Sequence, residues 1–250
     1  MNYYIKPREW EYIFRILQER NDINNANEAK LRMFLEAIYY IVRTGCQWRM
    51  LPCFYGKWGS IHKRFKRWND KGVWSDLFEK LKDEPDTENM IIDTTIVRAH
   101  ACSSGYKKNS QEEQALGRSK GGFSCKIHTL VDALGNPLKF LLTAGQRNDI
   151  IKAEELIKNT SNTTVIADKG YDANALIGII ANQNSVTVIP PKKNRKVQRE
   201  YDNYLYKERH LIECFFGKIK HFRRIFSRFD KTATAFMGFL HFVGALIWLR

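Results

Sequence analysis

The hydrophobic pattern of this 250-residue chain changes its period near residue 83, and this change constrains the fold more than any other feature. Upstream, apolar residues recur every three or four positions, which predicts helices at 7–19, 28–43, 60–70 and 74–82. Ser60 is expected to cap the third of them. Residues 83–89 are acidic, contain a proline and lack large apolar side chains, as is typical of a linker. We therefore expect a small all-helical domain over 1–82 and a second domain over 90–250.

In the second domain, apolar runs predict strands at 90–97, 124–133, 138–143, 163–167 and 186–189. Helices are expected at 149–158, capped by Asp149, at 173–182, and around Glu213, and a buried apolar helix is expected at 233–249. Three strands followed by alternating helices and strands predict an α/β (mixed α+β) domain. Its mixed five-stranded sheet would carry helices on both faces, in the layout of ribonuclease H-like proteins.

The chain is strongly basic, with 41 Lys and Arg against 27 Asp and Glu and a formal net charge of +14. The surplus is concentrated in residues 192–231, with 13 cations against 5 acids, and in residues 1–82, with 16 against 9. Such a surplus favours a polyanionic partner, with nucleic acid first and an acidic membrane surface second.

The five cysteines are odd in number and show no C-x-x-C spacing, so the sequence indicates neither a disulfide framework nor a zinc site. No apolar run opens the chain, so we expect no signal peptide. The apolar residues 233–249 are short for a membrane span and include His241. These features predict a protein of the reducing cytoplasm.

The third predicted helix alternates cations with aromatic residues, and its cations include Lys63, Arg64 and Arg67. Cations position a phosphate backbone and aromatic rings stack on bases, so the helical domain is predicted to bind DNA in the manner of a helix-turn-helix domain. The alternative is a helical bundle whose basic face is only solvated.

Tyr206, Arg209, Glu213 and Lys220 follow one another at steps of three, four and seven residues. These steps place a phenol, a guanidinium, a carboxylate and an ammonium on one helix face, while the apolar residues fall largely elsewhere. A carboxylate among cations suits a metal-dependent site that handles a phosphate backbone. A salt-bridged solvent face, with Glu213 paired to Arg209, is the alternative.

Asp93 interrupts an otherwise apolar first strand, where a charge is costly unless it is paired or bound to a metal. Asp168 follows the fourth strand, at the end where open α/β folds place ligands, although a turn or capping role would also fit. In this layout both acids and Glu213 can converge at one sheet edge. Two Mg²⁺ ions roughly 3.5–4 Å apart would offset their charge and support in-line attack by a water or a 3′-hydroxyl.

Several motifs together resemble one family. The segment from Tyr206 to Lys220 is similar to the Tyr-x-x-Arg-x-x-x-Glu-x-x-x-x-x-x-Lys signature of insertion-sequence transposases with an Asp-Asp-Glu (DDE) triad. Other stretches resemble the insertion-sequence-five family in order and spacing from about residue 51 onwards. They are Leu51-Pro52-x-x-Tyr55-Gly56-x-Trp58, His62-x-x-Phe65-x-x-Trp68, Gly72-Val-Trp74, residues 114–122, Lys126-Ile-His128-x-Leu130-Val-Asp132-Ala-x-Gly135, residues 167–172, Phe222-Arg-Arg224-Ile and Arg228-Phe-Asp-Lys231.

The resemblance implies a bacterial, nucleoid-associated DNA transposase that performs Mg²⁺-dependent phosphodiester hydrolysis and strand transfer, with Mn²⁺ as a substitute. It implies that Asp93, Asp168 and Glu213 are the catalytic metal ligands. It implies double-stranded DNA partners, the terminal inverted repeats and the target, and a homodimer on two synapsed ends. The DNA contacts that follow from the motifs are Tyr206, Arg209, Lys220, Arg223, Arg224, Arg118 and Lys120.

His128 is a secondary candidate for the site and could equally be a satisfied strand histidine. Two other functions compete with transposition, namely a non-catalytic repressor derived from a transposase and a ribonuclease H-like nuclease. The three intact acids argue against the repressor, because DNA binding alone does not require a set of three carboxylates. The basic N-terminal helices and Lys220 argue against the nuclease.

Overall fold

The computed structural model describes residues 4–104, 113–119 and 121–250, and the chain divides into two units by its internal contacts. The helical unit comprises Met1–Asp83, Ala99–Tyr106 and Ile219–Arg250. The sheet unit comprises Glu84–Arg98 and Lys107–Lys218.

The α-helices are α1 (Pro7–Gln18), α2 (Glu28–Thr44), α3 (Trp58–Asp70), α4 (Val73–Lys80), α5 (Ala153–Ile157), α6 (Asn174–Asn182), α7 (His210–Lys220), α8 (Arg223–Phe226) and α9 (Ala233–Trp248). The strands are β1 (Asn89–Ala99), β2 (Gly117–Ser119), β3 (Gly122–Val131), β4 (Pro137–Ala144), β5 (Thr164–Ile166), β6 (Val186–Val188) and β7 (Ser227–Arg228). The four N-terminal helices and the five predicted strands are therefore present. Two short strands, β2 and β7, were not predicted.

The ends of the N-terminal helices follow local chemistry only in part. Asn27 caps α2, because its side-chain oxygen accepts the N–H of Lys30 at 2.9 Å, and Gly45 follows the last residue of that helix as predicted. The predicted cap at Ser60 is wrong. Helix α3 begins two residues earlier, at Trp58, and the Ser60 N–H already donates to the Lys57 carbonyl within its first turn.

Aromatic rings form the core of the helical unit. Phe239 of α9 stacks on Phe65 of α3 with ring centroids 4.4 Å apart, and Phe242 meets the indole of Trp74 at 5.3 Å. Nearly the whole circumference of α9 is apolar and buried, as predicted for a core helix. Within the three described ranges, no helix is both long and apolar enough to cross a membrane.

This core changes the predicted division of the chain. The sequence predicts one domain over 90–250 that contains the sheet, whereas residues from Ile219 onwards pack with the N-terminal helices. The reason is physical: the rings of α9 fill the space against α3 and α4, and these contacts join residues far apart in sequence. Local periodicity carries no information about such a pairing.

The sheet has the strand order β4-β3-β1-β5-β6, and β2 pairs with the start of β3. β1 runs antiparallel to β3 and parallel to β5, which is parallel to β6, so the sheet is mixed. One face carries an apolar core with α5 and α6, including Ile92, Leu156 and Ile180. The predicted fold class, a mixed α/β architecture of ribonuclease H-like layout preceded by helices, is confirmed.

We expect Phe239→Ala to lower the free energy of unfolding by about 3–5 kcal/mol, because removing a buried aromatic ring leaves a cavity. Urea titration followed by circular dichroism measures the change. Phe226→Ala is the matched control, since that ring is 61% exposed, and it should cost less than about 0.5 kcal/mol. Equal losses in the two variants would contradict the packing of α9 against α3.

Candidate active site

Asp93 and Asp168 are brought together by the pairing of β1 with β5. The two strands are parallel, and Ile91 of β1 lies opposite Ile166 of β5. Asp93 comes two residues after Ile91, and Asp168 comes two residues after Ile166. Parallel strands advance together, so the two carboxylates lie alongside one another at the carboxyl end of this part of the sheet.

Helix α7 is fixed on the sheet by its apolar side. Phe215 stacks on Phe140 of β4, with ring centroids 6.0 Å apart and 25° between the planes. Phe140 is in register with Thr129, which is in register with Asp93, so this aromatic contact and the acid share one face of the sheet. At the β3–β4 turn, Gly135 has φ 79° and comes so close to α7 that a Cβ would lie 3.3 Å from a carbonyl oxygen of the helix.

Arg209 joins two of the three predicted acids. One terminal nitrogen of its guanidinium donates to Asp93 Oδ2 at 2.6 Å, and the other donates to a carboxylate oxygen of Glu213. The predicted single helix is in fact a 3₁₀ turn, Leu205–Arg209, followed by α7, but the four-residue step still brings Arg209 to Glu213. The sequence alternative of a Glu213–Arg209 ion pair is therefore present, and the same guanidinium also reaches the sheet.

Asp93 is poorly compensated despite this contact. Its side chain is only 16% exposed. Burial raises the pKa of Asp93 to about 6, although the N–H of Thr94 and the charge of Arg209 both act to lower it. The neighbouring charges of Asp168 and Asp149 raise it further. Additional positive charge at this position would stabilise the ionised carboxylate.

Asp168 opens a tight turn with one of its oxygens. Its Oδ1 accepts the N–H of Gly170 at 2.8 Å, so the capping role that the sequence left open is real. A Cβ at Gly170 would lie only 2.8 Å from that same oxygen, which explains the glycine of the Asp-Lys-Gly-Tyr-Asp motif. Within the described ranges no donor reaches Oδ2, so this oxygen is available to a ligand.

The chemistry of these donors fits a hard divalent cation, because all three predicted ligands are carboxylates and two of them are adjacent. Among the described residues, no three His, Cys, Asp or Glu side chains are already placed to hold a metal ion. Arg209 lies between Asp93 and Glu213, so ligation by all three acids requires its guanidinium to move aside.

A second polar cluster on β1, which the sequence analysis missed, adjoins Asp93. Asp149 accepts hydrogen bonds from Thr94 Oγ1 at 2.7 Å and from Lys126 Nζ at 2.6 Å. Burial alone would raise the pKa of Asp149, but the hydrogen bonds from Lys126 and Thr94 outweigh it and lower the pKa. The predicted capping role of Asp149 is wrong, because its carboxylate reaches the sheet instead. Lys126 within the apolar strand β3 could have indicated from the sequence that an acid lies nearby.

His128 on the same strand is fully buried, with Nε2 2.7 Å from Thr143 Oγ1. Burial lowers the pKa of His128 to about 4, so the imidazole is neutral near pH 7. Its Nδ1 has no hydrogen-bond partner among the described residues. Its complete burial favours the structural alternative for His128, although only one of its two ring nitrogens is hydrogen-bonded among the described residues.

Tyr206 and Tyr171 place phenols near the acids. Tyr206 packs edge to face with Tyr201 at 5.7 Å, and burial raises its pKa, opposed by the charge of Arg209. Tyr171 is buried, and its hydroxyl faces Thr94 without reaching hydrogen-bond geometry. Burial likewise raises the pKa of Tyr171, and the charge of Asp93 adds to the effect, so the phenol stays protonated.

Two predicted DNA contacts are engaged within the helical unit. Arg224 is 4% exposed, pairs with Asp230 at 2.7 Å and donates to the Cys46 carbonyl, so the prediction that it contacts DNA is wrong. Arg64 lies 4.5 Å over the ring of Phe34 and donates to a backbone carbonyl, which is a structural use of its charge. The basic composition of these segments thus did not reveal which of their cations are paired or packed inside the protein.

The other predicted DNA contacts have less packing around them. Lys63, Arg67, Arg118 and Arg223 are exposed, and Lys220 is half-buried at the last residue of α7. Lys120 lies outside the described residues.

Two family models match consecutive parts of the chain. Residues 84–247 match the family model described as "Transposase DDE domain", and residues 5–78 match the one described as "Putative transposase of IS4/5 family (DUF4096)". A protein of Brucella ovis named "Putative transposase for insertion sequence element IS6501" is 46% identical over 127 residues, which cover 50% of this chain and 98% of that protein. The protein y4sN of Sinorhizobium fredii is 31% identical over 104 residues, covering 42% of this chain and 83% of that one.

Two solved structures share some similarity with this chain. One is the piggyBac transposase synaptic complex with hairpin DNA, at 12% identity and a TM-score of 0.38, and this chain spans half of that chain while 78% of its own length is covered. The other is the Mos1 transposase paired-end complex, at 11% identity and a TM-score of 0.29, covering 77% of this chain and 75% of that one. Because the DDE-domain match extends over well more than half of the chain, this protein belongs to the insertion-sequence transposases of the DDE superfamily.

Proposed function

We propose that this transposase binds the ends of its insertion element and catalyses metal-dependent phosphodiester cleavage followed by strand transfer. Asp93, Asp168 and Glu213 are the proposed metal ligands. One observation carries the assignment: the largely shielded, undercompensated Asp93 lies beside Asp168 in register and is linked to Glu213 through Arg209. A shielded carboxylate beside a second acid is costly to keep ionised unless a cation joins them.

The proposed cation is Mg²⁺, with Mn²⁺ able to replace it and two ions in the complete site. When bound, such ions activate a water or a 3′-hydroxyl and stabilise the leaving oxygen. The residues of the chain supply the frame. β1 and β5 hold Asp93 and Asp168 side by side, the Gly170 N–H orients Asp168, and the apolar side of α7 holds Glu213 at the sheet.

Arg209 has two roles in this proposal. Without metal it neutralises part of the charge on Asp93 and Glu213 and keeps them from repelling one another. Once a divalent cation takes over that task, the guanidinium becomes available to a phosphate of the DNA, for which its planar fork is suited.

The proposed partners are double-stranded element ends and target DNA, bound by a homodimer in the bacterial nucleoid. Exposed cations, namely Lys63, Arg67, Arg118 and Arg223, together with Lys220 and Tyr206, are the proposed backbone contacts. Neutralising phosphates with such residues releases counterions, so affinity should fall steeply with salt.

A strand-transfer assay tests the proposed reaction. A pre-cut oligonucleotide of the element end, with Mg²⁺ or Mn²⁺, should be joined to target DNA by the wild type and not by Glu213→Gln. A folded wild type that binds the oligonucleotide but yields no joined product would favour a repressor. Cleavage without any joining would favour a nuclease.

Asp93→Asn, Asp168→Asn and Glu213→Gln should each reduce cleavage more than about 100-fold, because even outer-shell partners of a metal are worth about 10–100-fold. DNA affinity measured in EDTA should persist in all three variants, since it depends on cations elsewhere. Glu154→Gln, at an exposed carboxylate of α5, is the control and should cleave normally. Near-normal strand transfer by any one of the three would remove that residue from the proposed ligand set.

Metal binding should release protons near pH 6. The raised pKa of Asp93, about 6, leaves the carboxyl about half protonated there, and a metal ion requires the ionised form. Calorimetric titration with Mn²⁺ in two buffers of different ionisation heat should show about half a proton released at pH 6 and almost none at pH 8. Asp93→Asn should abolish the difference between the two buffers. Proton release that is the same at both pH values would contradict the assignment.

A further inference from the structure

A cationic pocket lies in the sheet unit next to the turn that carries Asp168. It is an open cavity of about 530 Å³ whose lining includes Asp172, Asn174, Lys192, Asn194, Arg195 and Lys196. Residues 192–199 contain five Lys or Arg and no acid. The pocket shares no residue with the DNA contacts discussed above, so the basic segment that forms it has no function assigned so far.

Asp172 fixes this basic segment in place. Its side chain is completely buried and accepts the backbone N–H of Lys192 at 2.8 Å, the Nε of Arg195 at 2.7 Å and a terminal nitrogen of Arg199. Burial alone would raise the pKa of Asp172, but the hydrogen bonds from Arg195 and Lys192 lower it, so the carboxylate is ionised at neutral pH. A buried, multiply hydrogen-bonded acid of this kind specifies a conformation.

The pairing leaves donors unused on the pocket side. The Nε of Arg195 donates to Asp172, and no described residue accepts a hydrogen bond from its two terminal nitrogens. Lys192 and Lys196 are exposed and form no ion pair within the described part of the chain. One buried carboxylate thus fixes Arg195, Arg199 and the backbone of Lys192, and its single charge is too small to neutralise the cations of this segment.

We propose that this pocket binds a phosphodiester group of the DNA backbone and that Asp172 is the positioning residue that presents Arg195, Lys192 and Lys196 to it. The proposal rests on the proposed function and adds a contact to it. Asp172 follows Asp168 by four residues through the turn Lys169–Tyr171, so one turn connects the pocket to a proposed ligand. The preorganised guanidinium favours phosphate, which it meets through two parallel N–H donors.

The first test removes charge without touching the buried pair. In the double variant Lys192→Gln, Lys196→Gln, both changed side chains are exposed and the backbone N–H to Asp172 is kept. Fluorescence anisotropy in EDTA, with duplexes of the element end and of unrelated sequence, measures affinity against salt. We expect the negative slope of log K against log salt to become shallower by about two units, equally for both duplexes, because a phosphate contact carries no sequence information.

The matched control is Lys30→Gln, Lys158→Gln, which removes the same charge from exposed positions outside the pocket. It should leave the slope almost unchanged. Equal slopes in the pocket variant and the wild type would overturn the proposal. So would a pocket variant that loses binding of inorganic phosphate but keeps the full DNA slope, since the pocket would then serve the free anion.

The second test asks whether replacing Asp172 raises or lowers the affinity for DNA. Removing an acid from a basic protein should raise DNA affinity by charge alone. If Asp172 positions the cations, Asp172→Asn should instead weaken DNA binding several-fold, whereas Glu200→Gln, at an exposed acid of the same segment, should strengthen it or leave it unchanged. Thermal melting of both variants verifies that they are folded at the assay temperature. Tighter binding by a folded Asp172→Asn would overturn the positioning role.

The affinity measurements do not depend on catalysis, because they are made without metal. A protein that performs strand transfer yet shows an unchanged salt slope in the pocket variant would contradict the pocket alone. If the wild type performs no strand transfer while the salt slope of the pocket variant changes as expected, only the proposed function is contradicted.

Discussion

The unmet charge of Asp93 is the constraint around which the sheet unit is organised. This carboxylate sits within a central strand, is largely shielded from water and has a pKa raised to about 6 by burial. A site of this kind is stable only when positive charge is brought to it. Arg209 supplies part of that charge from a segment 116 residues away in the chain. Its second contact, with Glu213, turns this compensation into a link between the sheet and α7.

Several local features have their physical reason in this arrangement. The parallel register of β1 and β5 sets Asp168 beside Asp93, and the absence of a side chain at Gly170 allows the Asp168 turn to close. Gly135 lets the β3–β4 turn approach α7, which carries Glu213. On β1, the ion pair of Lys126 with Asp149 holds Thr94, the residue next to Asp93. Backbone geometry thus sets Asp93 and Asp168 side by side, while Arg209 lies between Asp93 and Glu213.

Some residues of the candidate site carry a local signature in the sequence. An acid inside an apolar strand and a helical spacing of charged residues are visible without any tertiary information, and both led to residues that the structure joins. Asp149 was missed because an acid before a helix looks like a cap. Arg224 was misassigned because a buried ion pair with Asp230 leaves no trace in the charge pattern. The placement of α9 depended on ring contacts such as Phe65 with Phe239, which are long-range. Periodicity predicted the main helices and strands but missed the short strands β2 and β7, whereas burial and the choice of partner residues depend on tertiary contacts.

In the proposed mechanism, a divalent cation replaces Arg209 between the acids. A crystal structure of the protein with Mn²⁺ and a pre-cut element end would test it most directly, because Mn²⁺ is visible by anomalous scattering. The account predicts Mn²⁺ bound by oxygens of Asp93, Asp168 and Glu213, with the Arg209 guanidinium released and in contact with a DNA phosphate. Arg209 still spanning Asp93 and Glu213 with DNA bound, and Mn²⁺ held elsewhere or by other side chains, would contradict it.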